Sequence, residues 1–182
     1  NHIKRMLEGA KTIGIELSNH YTVSYFSNQI QNLIERNGIQ YGGKVRICLF
    51  RNGEGTYIPN TNEASFFIEA YHLPDNEFSL NEKGLMVDII INDKGRIIES
   101  ISSNVFIVSN GVLYTPPLED GCIGGTMRMN VINTALENKI TVYENSLSPQ
   151  NLLAADEIFL TNAIKGIQWV GGYKSKRYFN KA

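Results

Sequence analysis

Residues 99–118 read ESISSNVFIVSNGVLYTPPL, and this stretch decides the fold of the surrounding chain. Two β-prone runs, residues 105–108 and 112–114, flank the dipeptide Asn110-Gly111. Asn-Gly between apolar runs is a strong hairpin signal, because a two-residue turn of this kind needs a positive φ at both positions. The stretch therefore predicts two antiparallel strands joined by a tight turn.

Short strands and amphipathic helices are predicted on both sides of this hairpin. Before it, strands are expected at residues 84–89, 90–92 and 96–98, and after it around Val142 and at residues 158–161. Apolar residues at helical spacing predict a helix over residues 127–138. Ser148 followed by Pro149 predicts the start of a short helix, with serine as its N-cap and proline at its first position.

The first 72 residues have a different pattern, with two helices followed by two strands. Helices are predicted over residues 1–14 and 22–37, the second ending at Asn37-Gly38. Strands are predicted at residues 44–50 and 65–71, and Arg51 is expected in a turn-rich loop between them. The sequence predicts an α/β fold class with no internal repeats.

The proline-containing stretch after residue 73 is the predicted domain linker. We expect a small N-terminal α/β domain at residues 1–73, a linker at 74–78, and a larger strand-rich domain at 79–182.

Composition excludes several classes of function. Seventeen basic and eighteen acidic residues leave a net charge of −1, and no basic block is present that would neutralise phosphates, so nucleic acid is not an expected partner. No apolar run reaches the ~20 residues of a membrane span. The chain opens without the apolar core of a secretory signal, and its two cysteines lack a CxxC spacing. We therefore expect a cytoplasmic protein without a metal site.

Five segments together resemble a known family. In chain order they are HIKRM (residues 2–6), ESISSNVF (99–106), GVLYTPPL (111–118), GGTMR (124–128) and ADEIFLTNA (155–163). They are similar to the motifs of class IV, fold-type IV aminotransferases, a family that includes branched-chain and D-amino acid aminotransferases and aminodeoxychorismate lyase. The resemblance implies a two-domain, fold-type IV enzyme that uses pyridoxal 5'-phosphate and has residues 79–182 as its cofactor-binding domain.

The resemblance also implies which residues contact the cofactor. Glu99 matches the carboxylate beside the pyridine nitrogen, where an anion keeps that nitrogen protonated. The implied cofactor-binding residues are Glu99, Ser102, Ser103, Gly125, Thr126, Met127, Asn162 and Ala163. Among them, residues 125–127 match the phosphate-binding turn at a helix N-terminus, and residues 162–163 match the turn on the substrate side of the ring.

Simpler interpretations of the same residues stay open. Glu99 could be a solvated glutamate at a strand end, and a glycine before a helix often has a purely steric reason. Arg51 could bind a substrate carboxylate through a bidentate pair, or it could be an exposed arginine without a specific partner.

The Schiff-base lysine of the family has no counterpart in this sequence. Residues 85–89 resemble the strand before that lysine, residues 90–96 resemble the strand after it, and the two are joined directly. None of Lys83, Lys94, Lys139 or Lys165 fits its position. We therefore expect a missing segment near residues 89–90, and a truncated N-terminus, because the family's phosphate-binding arginine belongs just before His2.

Three functions remain open from the sequence. The first is transfer of an amino group between an amino acid and a 2-oxo acid. The second is release of pyruvate from aminodeoxychorismate to give 4-aminobenzoate, which Met127, Asn162 and Ala163 favour because they match the lyases. The third is a binding paralogue that lacks the lysine and is catalytically inactive. Both enzymatic hypotheses imply small-molecule substrates and a homodimer.

Overall fold

The computed structural model describes residues 1–55, 57–74 and 77–179. It divides into two compact units, Asn1–Glu77 and Phe78–Ala182. The division falls inside the predicted linker at 74–78, of which residues 75 and 76 lie outside the described residues. None of the described helices is both long enough and apolar enough to cross a lipid bilayer.

The first unit has two helices and a two-stranded antiparallel sheet. Its elements are α1 (His2–Thr12), α2 (Val23–Arg36), β1 (Gly43–Arg51) and β2 (Ala64–His72). Thr22 caps α2 by accepting a hydrogen bond from the backbone N–H of Tyr25. Phe26 of α2 is fully buried, with its ring 5.0 Å from that of Phe66 in β2. The ring of Tyr25 also meets Phe66 at 6.0 Å, so aromatic contacts join α2 to the sheet.

The second unit is rich in strands. Its elements are β3 (Leu85–Met86), β4 (Ile89–Ile91), β5 (Ile97–Ser100), β6 (Asn104–Ser109), β7 (Val112–Thr115), a 3-10 turn (Leu118–Asp120), α3 (Thr126–Glu137), β8 (Val142–Glu144), α4 (Pro149–Ala154), β9 (Glu157–Asn162), β10 (Gly166–Tyr173) and β11 (Lys176–Arg177). The main sheet has the order β11-β10-β9-β6-β7-β8, and β3 pairs in parallel with β10. Strands β4 and β5 form a separate hairpin.

The two faces of the central strands have different roles. In β6, Val105 and Ile107 point into the main core, where Ile158 and Leu160 of β9 meet them. Because side chains alternate along a strand, Phe106 lies on the other face, where it stacks on the ring of Phe159 at 4.9 Å. The first residue of β6, Asn104, therefore shares this second face.

The mixed α/β class and the hairpin at Asn110-Gly111 are confirmed. Asn110 and Gly111 have φ values of 51° and 76°, the positive pair that this turn requires. The short helix also begins as predicted, since Asn151 Oδ1 accepts hydrogen bonds from both the N–H and the hydroxyl of Ser148. Arg51 is a correction: it is the last residue of β1 and does not lie in the loop.

A single strand over residues 84–89 was expected, and this prediction is wrong. The chain changes partners there: Leu85 and Met86 pair with β10, whereas Ile89 begins the pairing with β5. Strand β10 itself was not predicted, because its glycines lower β-propensity. The fold needs one of them, since a Cβ on Gly171 would lie 2.9 Å from the Cα of Gly84. The missing segment near residues 89–90 stays a prediction; in the structure Ile89 and Ile90 are successive residues of β4.

Asp120 ties the β4–β5 hairpin to the turn after β7. Its buried carboxylate accepts a hydrogen bond from Arg96 Nη1 at 2.9 Å, and its carbonyl accepts one from Asn92 Nδ2 at 3.0 Å. Burial favours the neutral acid and acts to raise the pKa of Asp120. The hydrogen bonds from Arg96 and Ser146 and the nearby positive charges outweigh burial, so this pKa lies below its usual value.

We predict that Asp120 stabilises the protein in a pH-dependent way. A lowered carboxyl pKa contributes stability that is fully present above the unfolded-state pKa of about 3.9 and is lost as pH falls through the folded-state pKa. Asp120→Asn should lower the melting temperature at pH 7 by a few degrees, for a loss of about 1 kcal/mol. Thermal unfolding followed by circular dichroism should show this difference shrinking towards pH 3. The exposed neighbour serves as control through Glu119→Gln, and an equal deficit at both pH values would contradict the prediction.

Candidate functional site

A closed set of hydrogen bonds surrounds the carboxylate of Glu99. Glu99 Oε2 accepts one bond from Asn104 Nδ2 at 3.2 Å and another from the backbone N–H of Ile123 at 3.1 Å. The same Asn104 Nδ2 also donates to the carbonyl oxygen of Ile123 at 2.7 Å. Glu99 of β5, Asn104 at the start of β6 and Ile123 in the loop before α3 are thus joined in one ring, which we call the Glu99–Asn104–Ile123 ring.

This ring lies directly beside the N-terminus of α3. Gly125 precedes the helix, and its own N–H donates to the carbonyl of Ile123 at 2.8 Å. The first bond of the helix runs from the N–H of Met129 to the carbonyl of Gly125 at 3.0 Å. The amides of Met127 and Arg128 therefore have no acceptor within the helix, and they lie at its positive end. A helix N-terminus of this kind favours negative charge.

The other predicted site residues lie at the same end of the sheet, in two turns. Asn162 Nδ2 donates to the carbonyl of Ser102 at 2.6 Å, which joins the β9–β10 turn to the β5–β6 turn. Asn162 Oδ1 accepts from the backbone N–H groups of Ile164 and Lys165. Ser103 is buried, whereas Ser102 and Ala163 are exposed. Strand pairing brings the two turns together, because Asn104 is directly opposite Thr161.

Three buried polar atoms near this end of the sheet have no hydrogen-bond partner within the described residues: Thr161 Oγ1 and the Nε and Nη1 of Arg128. Thr161 is 2% exposed, and in the described part of the chain its hydroxyl makes no hydrogen bond. Directly paired residues point to the same face, so this hydroxyl lies on the side of Asn104 and α3. Buried polar atoms are almost always satisfied, and an exception at a polar end of a sheet is consistent with a ligand site.

Arg51 belongs to the first unit, where its guanidinium group has partners. Its Nε donates to Asn62 Oδ1 at 2.9 Å, and its Nη2 donates to the carbonyl of Ile13. These bonds join the end of β1 to the segments after α1 and before β2. A role for Arg51 in binding a substrate carboxylate stays a prediction.

Two residues of the site were present in the quoted motifs but received no role from the sequence. Asn104 is the sixth residue of ESISSNVF (99–106), and Arg128 ends GGTMR (124–128). Arg128 is 1% exposed, and its Nη2 donates to the carbonyl of Pro116 at 2.8 Å and to Glu144 at 2.6 Å. Arg128 thereby fixes the first turn of α3 against the end of β7. Asn104 could have been singled out as a polar side chain at the start of an apolar strand, whereas Arg128 stands between Met127 and Met129 inside a helix.

Cys122 is adjacent to the ring but lacks the features of a nucleophile. Burial raises the pKa of its thiol above the usual value. Its Sγ lies 3.5 Å from the carbonyl oxygens of Pro116 and Pro117. A protonated, buried thiol of this kind is a packing residue.

Comparison with known proteins gives one family. Residues 79–172 match the family described as amino-transferase class IV. The chain is 31% identical to aminodeoxychorismate lyase from Bacillus subtilis over 146 residues, which are 79% of this chain and 46% of the relative. It is 36% identical to branched-chain-amino-acid aminotransferase from Escherichia coli over 80 residues, 44% of this chain and 25% of the relative. The chain spans less than half the length of the curated relatives it matches.

The fold also has close counterparts among solved structures. The branched-chain aminotransferase from Thermoproteus uzoniensis with norvaline superimposes with a TM-score of 0.88 at 24% identity, covering 100% of this chain and 73% of that one. Branched-chain aminotransferase from Escherichia coli superimposes with a TM-score of 0.84 at 21% identity, covering 98% and 72%. The predicted fold-type IV architecture is confirmed.

We predict that Gly125→Ala disrupts the junction between the ring and α3. A Cβ at this position would lie 2.1 Å from Asn104 Oδ1, so either the asparagine or the turn must move. The backbone is not the obstacle, since the φ of Gly125 is −63°. Overpacking of this kind costs about 1–3 kcal/mol. Denaturant unfolding should report it, with Gly124→Ala as control, because a Cβ there would make only ordinary contact with Leu118. Equal stability of the two variants would contradict the prediction.

Proposed function

Because this chain belongs to the amino-transferase class IV family, we propose that it forms the cofactor-binding part of a pyridoxal 5'-phosphate-dependent aminotransferase. The reaction is transfer of an amino group between an amino acid and a 2-oxo acid. The Glu99–Asn104–Ile123 ring beside the N-terminus of α3 is the observation that supports this proposal. It places a carboxylate and a helix N-terminus, the partners of a protonated pyridine and of a phosphate, in one unit.

The residues present fit this cofactor. When bound, the pyridine ring supplies an acceptor for the electrons released at the substrate α-carbon. Glu99 would keep the proton on the ring nitrogen, because an anion beside that nitrogen favours its charged form. Both bonds to Glu99 in the ring use Oε2, and a carboxylate offers further acceptor positions for a ring N–H.

The phosphate would lie at the N-terminus of α3. There the amides of Met127 and Arg128 have no acceptor in the helix, and the helix dipole favours negative charge. Thr126 belongs to the same turn. Asn162 and Ala163 would line the substrate side, where the bond from Asn162 to the carbonyl of Ser102 makes the turn rigid.

The second candidate is aminodeoxychorismate lyase, which releases pyruvate. The Bacillus subtilis lyase matches 79% of this chain, whereas the Escherichia coli branched-chain aminotransferase matches 44%. Met127, Asn162 and Ala163 also favour the lyase, because they match the lyases at these positions. These three residues belong to the proposed phosphate and substrate sides of the cofactor site. They would therefore affect which reaction is catalysed, whereas the rest of the fold suits both reactions.

The chain covers only part of its relatives, and the activity of the whole protein is accordingly a proposal. We place the lysine that moves the substrate proton in a segment that this sequence does not contain. A mass of the intact natural protein well above 20.4 kDa would support such a segment. The homodimer is also a proposal, which light scattering at assay concentration would test.

We predict that full-length protein supplied with pyridoxal 5'-phosphate forms glutamate from 2-oxoglutarate and an amino donor. The panel should include branched-chain amino acids, D-alanine and, in a separate reaction, aminodeoxychorismate. Glutamate formation supports the aminotransferase, and pyruvate release from aminodeoxychorismate supports the lyase. Cofactor binding without either product would contradict both reactions and favour the inactive binding paralogue.

We predict that Glu99→Gln separates cofactor binding from turnover. A neutral amide no longer favours the protonated ring nitrogen, while the phosphate end of the site is unchanged. Turnover of the full-length protein should fall about 100-fold, and cofactor affinity should change less than about threefold. Absorbance titration and single-turnover kinetics measure the two quantities, and Glu137→Gln at the exposed end of α3 is the control. Unchanged turnover in Glu99→Gln would refute the assignment of Glu99.

A further inference from the structure

Asn104 makes contact with both ends of the proposed cofactor site. It is 6% exposed, and both hydrogens of its Nδ2 are used, one for Glu99 Oε2 and one for the carbonyl of Ile123. Both partners are acceptors only, so the amide must present its nitrogen to them. Rotating the amide by a half turn would place Oδ1 against two acceptors, which fixes the orientation of this side chain.

The other side of the same amide determines where α3 can begin. Asn104 Oδ1 occupies the position in which a Cβ of residue 125 would lie, at 2.1 Å. The chain can pass this close only because residue 125 is glycine. Asn104 therefore contacts Glu99 through its nitrogen and the residue before α3 through its oxygen.

The backbone of Asn104 is held by the sheet. It begins β6 and is paired with Thr161 of β9, in the most buried part of the second unit. Its side chain consequently projects from the main sheet, whereas Glu99 lies near the end of β5 in the separate two-stranded hairpin and Ile123 lies in the loop before α3. A side chain on a strand can fix the positions of groups on loops more accurately than the loops can themselves.

We propose that Asn104 is a positioning residue, which sets the distance and orientation of the Glu99 carboxylate relative to the N-terminus of α3. This inference rests on the proposed function, because those two groups are the proposed partners of the ring nitrogen and the phosphate. Asn104 acts through Glu99 and the Ile123–Gly125 turn and does not itself touch the cofactor. Removing the Asn104 amide should leave Glu99 Oε2 and the carbonyl of Ile123 each without one hydrogen-bond donor.

The test measures the ring nitrogen of the bound cofactor directly. Full-length protein is titrated with pyridoxal 5'-phosphate labelled with ¹⁵N in the ring, and the ¹⁵N chemical shift reports whether that nitrogen is protonated. Wild type should show the protonated signal, and Glu99→Gln should lose it. Asn104→Ala should move the signal at least halfway to that of Glu99→Gln and weaken cofactor affinity about tenfold, through the loosened turn.

A double variant separates positioning from a general loss of stability. If Asn104 acts through Glu99, the variant with both Asn104→Ala and Glu99→Gln should give the same ¹⁵N shift as Glu99→Gln alone, because contacting residues are not additive. The matched control is Asn81→Ala. Asn81 also bridges two segments, with Nδ2 donating to the carbonyl of Trp169 and Oδ1 accepting from its N–H. This control should lower the melting temperature but keep the wild-type ¹⁵N shift and affinity.

The outcomes distinguish this inference from the proposed function. A wild-type shift in Asn104→Ala, or an equal change in Asn81→Ala, would overturn the positioning role and leave the function standing. A wild-type protein that binds no cofactor, or binds it unprotonated, would overturn both. If Asn104→Ala shows no cooperative thermal unfolding, Asn104→Leu replaces it, since it has a similar size, adds no charge and lacks the two donor hydrogens, and it should give the same shifted signal.

Discussion

The site depends on the two hydrogen-bond donors that hold the half-buried carboxylate of Glu99. One donor is the side chain of Asn104, and the other is the backbone N–H of Ile123. The two donors are themselves joined, because Asn104 also binds the carbonyl of Ile123. The acidic group and the turn before α3 are therefore coupled through the buried amide of Asn104, which donates one hydrogen to each of them.

The sheet makes this coupling possible by dividing its two faces. Alternation in β6 directs Val105 and Ile107 into the apolar core and leaves Asn104 on the opposite face. The core face stabilises the strand, and the other face presents a polar residue at a fixed position. Arg128 adds a second attachment, since it binds the first turn of α3 to the carbonyl of Pro116 at the end of β7. The N-terminus of α3 is thus located relative to the sheet by two buried polar side chains.

Local signals in the sequence predicted most helices, strands and turns, but they did not predict which strands pair with one another. The turn at Asn110-Gly111 follows from the positive φ that both residues tolerate, and the start of α4 follows from Ser148. The change of partner between Met86 and Ile89 could not be predicted, because it depends on β10, whose glycines conceal a strand. Motifs in the sequence indicated Glu99 and the residues of the turn before α3. The pattern of apolar residues does not show which groups form hydrogen bonds, so the role of Asn104 follows only from the folded structure.

The spacing between Glu99 and Asn104 has a physical explanation in the turn that separates them. The carbonyl of Ser103 accepts bonds from both the N–H and the hydroxyl of Ser100, which closes the chain into a tight reversal. This reversal places Asn104, the first residue of β6, beside Glu99. The four intervening residues therefore set the geometry of the ring, and a Glu-x-x-x-x-Asn pattern before a strand specifies a carboxylate whose position is fixed by that strand.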